Sequence, residues 1–136
     1  MDSRLRDLSK YRLAHAKEDL ETARVDYEHG LFAASMNRSY YAVFHAIRAV
    51  NSLEAFDSKK HSGVISFFTQ TFLKTERMKN GRRISEIIKN AQHFREKSDY
   101  EDFYIADKEE AEEQLQNAEL LLGLVEEYLA EQYEAG

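Results

Sequence analysis

The chain has 136 residues, a size that suits one domain and allows roughly two thirds of the unfolded surface to be buried. It has no cysteine, which excludes disulfides and thiolate chemistry, and no proline, so nothing interrupts long helices. No apolar run approaches the roughly 20 residues of a membrane span, and the first residues lack the apolar stretch of a secretory signal. We therefore expect a single cytoplasmic domain over residues 1–136, with no membrane contact.

The net charge of −6 is distributed unevenly along the chain. Residues 1–58 are close to neutral, with eight basic and nine acidic side chains. Residues 59–97 carry ten basic and three acidic side chains, whereas residues 99–136 carry one lysine and thirteen acids. Such asymmetry indicates either a nucleic-acid surface or two segments that lie side by side and partly neutralise each other. We expect the second arrangement.

Two long helices are predicted in the first part of the chain. Apolar residues recur at three- and four-residue steps up to His29 and Gly30, where glycine favours a helix end. The next helix, residues 31–54, is apolar nearly all round, which is typical of a helix enclosed by its neighbours. Small side chains would let those neighbours approach closely: Ala33, Ala34, Ala42, Ala46 and Ala49.

Three more helices are predicted in the second part. Residues 63–73 form a short apolar helix, and a turn signal follows at Asn80-Gly81. Isoleucines at helical spacing mark a fourth helix, residues 98–106 are predicted as a loop, and Asp107 with Glu110 resembles a capping box before the last helix. The sequence therefore predicts an all-α fold, an up-and-down antiparallel bundle of about five helices.

Four motifs carry a resemblance to a known family. Residues 37–46, Asn-Arg-Ser-Tyr-Tyr-Ala-Val-Phe-His-Ala, resemble the signature of the HEPN superfamily, helical modules encoded in prokaryotes beside minimal nucleotidyltransferases. The same order continues with residues 61–64, His-Ser-Gly-Val, and 94–100, Phe-Arg-Glu-Lys-Ser-Asp-Tyr. It ends with residues 109–111, Glu-Glu-Ala, and the Asn117-Ala118 pair. The resemblance covers essentially the whole chain.

The resemblance implies a bundle that usually dimerises, with a polar cleft built from both protomers. Many relatives are toxins of toxin–antitoxin pairs, and the active ones are metal-independent endoribonucleases that use an Arg, four to six residues, and then a His. In several toxins this motif precedes the last helix. At that place Arg95 matches the family Arg, but Tyr100 occupies the position of the family His. Asp102 occupies the position two residues later, where those toxins have a Tyr. Asp99 would act as a base only if burial raised its pKa, and an ion pair with Arg95 is the structural alternative.

A second pair satisfies the spacing: six residues separate Arg38 from His45. On a helix they lie nearly in line, about 10.5 Å apart, with Tyr41 between them. They are interpreted as a catalytic pair, as part of a polar binding cleft, or as structural side chains, with Arg38 paired to an acid and His45 hydrogen-bonded. Arg38, His45 and Arg95 are the catalytic candidates. The candidate cleft comprises Arg38, Tyr41, His45, Arg95, Asp99 and Tyr100.

The remaining signals are weaker. The best basic patch comprises Lys79, Arg82, Arg83 and Lys89, either a phosphate site or a solvated face. His61 is assigned a structural role near a helix start, and His15, His29 and His93 look isolated, so no metal site and no cofactor is expected. In related systems the antitoxin adds AMP to a Tyr of the toxin. Tyr100 and Tyr104 lie in the matching region, although core packing is the alternative.

Three functions stay open from the sequence. The preferred hypothesis is a binding module: a homodimer that partners a minimal nucleotidyltransferase and holds RNA or nucleotide in its cleft without cutting it. The alternatives are a metal-independent ribonuclease toxin using Arg38 and His45, or Arg95 with another base, and a structural interaction protein whose cleft binds nothing.

Overall fold

The computed structural model describes residues 1–100 and 105–135, apart from the side chain of Tyr100. It contains five α-helices and, among these residues, no strand, which confirms the predicted all-α fold. The helices are α1 (Ser3–Glu28), α2 (Phe32–Asn51), α3 (His61–Phe68), α4 (Gly81–Tyr100) and α5 (Lys108–Ala135). In the described part of the chain, none of them is long and apolar enough to span a membrane.

Local signals explain where the helices begin and end. The carboxylate of Asp2 accepts the backbone N–H of Arg4 at 2.8 Å and caps α1. After α1 the chain turns at Gly30, whose φ of +75° is a conformation that favours glycine. Before α5, Asp107 Oδ1 accepts the N–H of Glu110 at 2.7 Å, so this half of the predicted capping box is present.

Two helix boundaries differ from the prediction. The third helix begins at His61 rather than at residue 63, and a π-helical turn, Thr69–Leu73, continues it. The fourth helix extends through Tyr100, although residues 98–106 were predicted as a loop. Its last turn is supported by the Arg95–Asp99 pair, with Nε and Oδ2 3.5 Å apart. Residues 101–104, with Asp102 and Tyr104, lie outside the described residues.

Helix α2 is the centre of the bundle. Twelve of its twenty residues are buried, and it packs against each of the other four helices. Ala42, Ala46 and Ala49 are fully buried, as expected for sites of close helix approach. The prediction is wrong for Ala33 and Ala34, which are exposed because they lie in the first turn of α2, at the end of the bundle. One apolar core includes residues from all five helices.

Helix α1 runs antiparallel to α2. The Ser9 hydroxyl donates to the Ala49 carbonyl at 2.8 Å near the start of α1, and Ser35 donates to the Ala23 carbonyl at 2.8 Å near its end. Residue numbers therefore increase along α1 in the direction in which they decrease along α2. This pairing fixes which side chains of α1 lie beside which side chains of α2.

Helix α1 is also antiparallel to α5 and supplies cations to its acidic face. Lys17 pairs with Glu126 at 3.5 Å, and Arg24 pairs with Glu119 at 3.1 Å. The sequence prediction placed the basic segment, residues 59–97, beside the acidic one. The two do meet where α4 packs on α5, but these two α5 carboxylates are neutralised by α1.

Candidate functional site

Helix α2 leaves one partly exposed line of polar and aromatic side chains. Arg38, Tyr41, His45 and Arg48 follow one another at steps of three, four and three residues, so they lie along one side of the helix. We call these four residues the α2 stripe. Their neighbours in α2 between residues 39 and 50 are buried in the core. The stripe is therefore the part of this segment that a ligand can reach.

Asp19 of α1 joins the two ends of the predicted Arg–His pair. Arg38 Nη1 donates to Asp19 Oδ1 at 3.3 Å, and His45 Nε2 lies 3.8 Å from Asp19 Oδ2. Arg38 and His45 thus meet the same carboxylate, whose side chain is only 8% exposed. The sequence analysis missed Asp19. Its signal is an acid beside Leu20 on the apolar side of α1, between Ala16 and Ala23.

Burial controls the protonation of this group. It raises the pKa of the Asp19 carboxyl, against the opposing effects of His15 and Arg38. Burial also lowers the pKa of His45 to about 4, and the nearby His15, Arg48 and Arg38 lower it further. The His45 imidazole is therefore neutral at pH 7.

Both ring nitrogens of His45 face protein groups. Nδ1 lies 3.4 Å from Nη1 of Arg48, and because a guanidinium only donates, Nδ1 accepts. The proton of the neutral ring is then on Nε2, which faces Asp19. Arg48 itself is held by Asp57 through two hydrogen bonds, of 2.8 and 3.2 Å.

His61, the first residue of α3, closes the other side of the α2 stripe. Its Nδ1 accepts from the Tyr40 hydroxyl at 2.9 Å and from Arg95 Nη1 at 3.4 Å. The ring stacks on Phe44 with centroids 4.0 Å apart. Burial and the Arg95 charge lower the pKa of His61. These contacts fit the predicted structural role.

Two arginines lie against the Tyr41 ring. The guanidinium carbon of Arg38 is 4.9 Å from the ring centroid, and that of Arg95, from α4, is 5.7 Å away. Arg95 also lies 4.8 Å from the Tyr40 ring and pairs with Asp99. The fold therefore brings together five of the six predicted cleft residues, and the side chain of Tyr100 lies outside the described part.

An opening of about 520 Å³ lies beside the α2 stripe. This volume falls in the range of small-molecule sites. The lining comes from α2 and from the segment that leads into α3: Tyr41, Phe44, His45, Arg48, Asp57, Ser58, Lys59 and His61. We call it the α2 cleft. Its lining has four basic or imidazole side chains and one acid, which favours an anionic ligand.

Comparison with known families matches residues 9–128 to the HEPN domain. The chain belongs to the HEPN domain family. Two proteins of Methanocaldococcus jannaschii named as candidate toxins are similar to it: one is 30% identical over 124 residues, 91% of this chain and 82% of its own. The other is 32% identical over 121 residues, 85% and 84% of the two chains. A UPF0332 protein of Thermotoga maritima is 24% identical over 120 residues, 88% and 89% of the two chains.

The HEPN resemblance stated from the four motifs is thereby confirmed. The first motif supplies Arg38, Tyr41 and His45 of the α2 stripe, and the second opens α3 with His61. The third contributes Arg95 and Asp99 near the end of α4. The fourth lies on α5, where the buried Asn117 accepts a hydrogen bond from Arg83 at 3.0 Å. Three of the motifs therefore meet through the contacts of Arg95 with Tyr41 and His61, and the fourth helps to anchor α4 on α5.

The basic patch of this HEPN domain is divided. Lys79 and Arg82 line a second opening, of about 590 Å³, together with Gly81. Arg83 instead turns to Asn117 and also lies 3.6 Å from Glu86, while Lys89 is exposed on α4. A phosphate site at this patch stays a prediction that rests on Lys79 and Arg82.

His15 is not isolated, contrary to the sequence prediction. Its ring stacks on His45 with centroids 4.2 Å apart, and its Nε2 lies 4.0 Å from Asp19 Oδ2. Thirty residues separate the two histidines, and the antiparallel pairing of α1 with α2 brings them together. His29, by contrast, contacts the carbonyl of Val25 in its own helix.

Proposed function

We propose that this HEPN domain is a toxin-like module that binds RNA along the α2 stripe without cutting it. The observation that carries the proposal is the placement of Arg38 and Arg95 against the Tyr41 ring, beside a cleft whose lining includes Arg48 and Lys59. The two relatives named as candidate toxins support the toxin-like assignment.

The chemistry of this surface fits single-stranded RNA. Unpaired bases stack on aromatic rings and on guanidinium planes, while phosphates attract arginine. Arg38 keeps 38% of its side chain exposed and Arg95 keeps 29%, so both can contact a ligand without leaving their places. Tyr41 lies between them with a partly exposed ring. A nucleotide unit would thus find a cation and a stacking surface together.

Binding without cleavage is favoured by the environment of His45. Metal-free cleavage needs a base that can reach the 2′-hydroxyl and a cation for the developing charge. Both His45 nitrogens face protein groups, and one face of the ring is covered by His15. At the usual toxin position, Tyr100 replaces the catalytic His. The arginines therefore lack an available base.

The proposal is tested with a labelled, unstructured RNA in buffer that contains a chelator. We expect fluorescence anisotropy to show salt-dependent binding that weakens about tenfold in Arg38→Gln and in Arg95→Gln. The matched control is Arg24→Gln, which removes the same charge from a residue that pairs with Glu21 and Glu119 away from the cleft. Absence of binding, or an equal loss in the control, would contradict the proposal.

A metal-independent ribonuclease is the second candidate, because Arg38 and His45 have the family spacing and meet one carboxylate. The same RNA, followed on a denaturing gel, separates the two functions. An intact RNA supports the binding module. Cleavage that disappears in both Arg38→Ala and His45→Ala, with the helical content unchanged by circular dichroism, would establish the enzyme instead.

We also propose that the domain forms a homodimer and partners a minimal nucleotidyltransferase. The exposed apolar side chains of Tyr11 and Leu31, 71% and 55% exposed, are available for protein contacts. Light scattering should give twice the chain mass. A monomer that binds neither RNA nor the neighbouring gene product would favour the purely structural alternative.

A further inference from the structure

Three side chains of metal-binding type converge between α1 and α2. His15, Asp19 and His45 each offer one ligand atom, and these atoms all lie within 4.8 Å of one another. His15 Nε2 and His45 Nε2 are 4.0 and 3.8 Å from the same oxygen, Asp19 Oδ2. His15 and Asp19 are one turn apart on α1, so both point to one place, and α2 supplies the third group.

We propose that His15, Asp19 and His45 form a site for a divalent transition metal of the zinc class. Two imidazole nitrogens and one carboxylate oxygen are a ligand set that zinc uses when it keeps a fourth position open. The site goes beyond the proposed RNA binding, which needs no metal.

The distances suit this use. Ligand atoms of tetrahedral zinc lie roughly 3.3 Å apart, given bonds of about 2.0–2.1 Å. The separations from Asp19 Oδ2, 3.8 and 4.0 Å, exceed that value by less than an ångström, and the two imidazole nitrogens lie within 4.8 Å of each other. The two rings also lie stacked, with centroids 4.2 Å apart and planes 21° from parallel, so His15 must turn out of this stack to direct its nitrogen at the ion. It is free to do so because 47% of its side chain is exposed. The same exposure leaves an entry path for the ion and a place for water at the fourth position.

Asp19 is already arranged as a ligand. Oδ1 is held by Arg38 at 3.3 Å, which orients the carboxylate. The Asp19 side chain is more than nine-tenths buried, and its Oδ2 has no hydrogen-bond partner among the described residues. Buried polar atoms are normally satisfied, so an unpartnered carboxylate oxygen facing two imidazoles indicates a missing ligand. Arg38 then acts as the outer partner that metal-binding carboxylates usually have.

Metal binding has one local consequence for His45. The proton must move from Nε2 to Nδ1, which gives up the 3.4 Å contact with Arg48. Arg48 retains its two hydrogen bonds to Asp57, so the change is small. The two nitrogen ligands disfavour Mg²⁺ and Ca²⁺, which require mostly oxygen ligands.

The test is a metal titration of the untagged, full-length chain. We expect one equivalent of Zn²⁺ per chain by competition with a chromogenic chelator, a Co²⁺ absorption spectrum typical of low coordination number, and no response to Mg²⁺. His15→Ala and Asp19→Asn should each weaken Zn²⁺ binding about tenfold or more. His15 is exposed, so its removal leaves the fold intact and keeps the test valid even where His45→Ala does not fold.

His93→Ala and His29→Ala are the matched controls, because both side chains are exposed and lie outside the cluster. They should bind Zn²⁺ as the wild type does. Zn²⁺ should also raise the Tm of the wild type and of the controls, but not that of His15→Ala. Failure to bind one equivalent, wild-type affinity in His15→Ala, or an equal loss in His93→Ala would overturn the proposal. The RNA-binding test is made in the presence of a chelator, so its outcome is independent of whether the chain binds Zn²⁺.

Discussion

Asp57 shows how a single carboxylate holds the rim of the α2 cleft. It accepts two hydrogen bonds from Arg48 and one from Arg12, at 3.1 Å, and thereby links the segment before α3 to both α1 and α2. The hydrogen bond from Arg48 is the main reason why the pKa of Asp57 lies below its usual value, and burial opposes it.

Replacing this carboxylate should give a pH-dependent loss of stability. Because the folded-state pKa of Asp57 is lowered, its contribution is present above the unfolded-state pKa of about 3.9 and is lost as the pH falls through the folded-state value. Asp57→Asn should therefore lower the free energy of unfolding at pH 7 by about 1 kcal/mol or less, since the side chain is 40% exposed. Urea unfolding of both proteins should show this difference shrinking below about pH 4. A difference that is the same at every pH would contradict the argument.

Residue-scale chemistry was only partly predictable. Arg38, Tyr41 and His45 lie on one helix, so regular spacing alone places them on one side. Asp19 and His15 belong to α1, and nothing local indicates that they meet His45. Their proximity to His45 depends on the axial register of α1 against α2, and that register is determined by the packing of the whole interface.

At the scale of helices, the alanines of α2 set how closely its neighbours can approach. Ala46 is fully buried in the central part of the helix, whereas Ala34 is exposed in its first turn. Ala46→Leu should lower the free energy of unfolding by about 1–3 kcal/mol, because added methylenes in a filled core force neighbouring side chains apart. Ala34→Leu, the same change on the same helix, should leave it nearly unaltered. Equal effects of the two substitutions in urea unfolding would show that the interface is not tightly packed.

Helix periodicity predicted the five helices because each apolar side is a local property of the sequence. The ends were less predictable. The sequence around Gly30 and Asp107 carries its own turn and cap signals, and there the prediction agrees with the structure. At the end of α4, acids and aromatic residues favoured a loop, but the Arg95 contacts with Tyr40 and Asp99 keep the chain helical.

For the whole molecule, stability and ligand binding should respond differently to salt. The core draws on all five helices, whereas the ion pairs between α1 and α5 are largely exposed and contribute little. Raising the salt concentration from about 0.05 to about 0.5 M should change the free energy of unfolding by no more than about 1 kcal/mol. RNA affinity should fall steeply over the same range. Parallel salt series of urea unfolding and of anisotropy check this, and a matching loss in both would mean that surface charge stabilises the fold.

The short turn between α1 and α2 determines which residues of the two helices lie side by side. Asp19 lies eleven residues before Gly30 and Arg38 eight residues after it, so the length of this corner determines whether carboxylate and guanidinium come face to face. One residue inserted into the first turn of α2 would rotate the residues after it by about 100° around the helix axis relative to this corner. The apolar core can repack after such a change, but the α2 stripe would no longer face Asp19. The domain would then lose the contacts of its candidate site while it kept its fold.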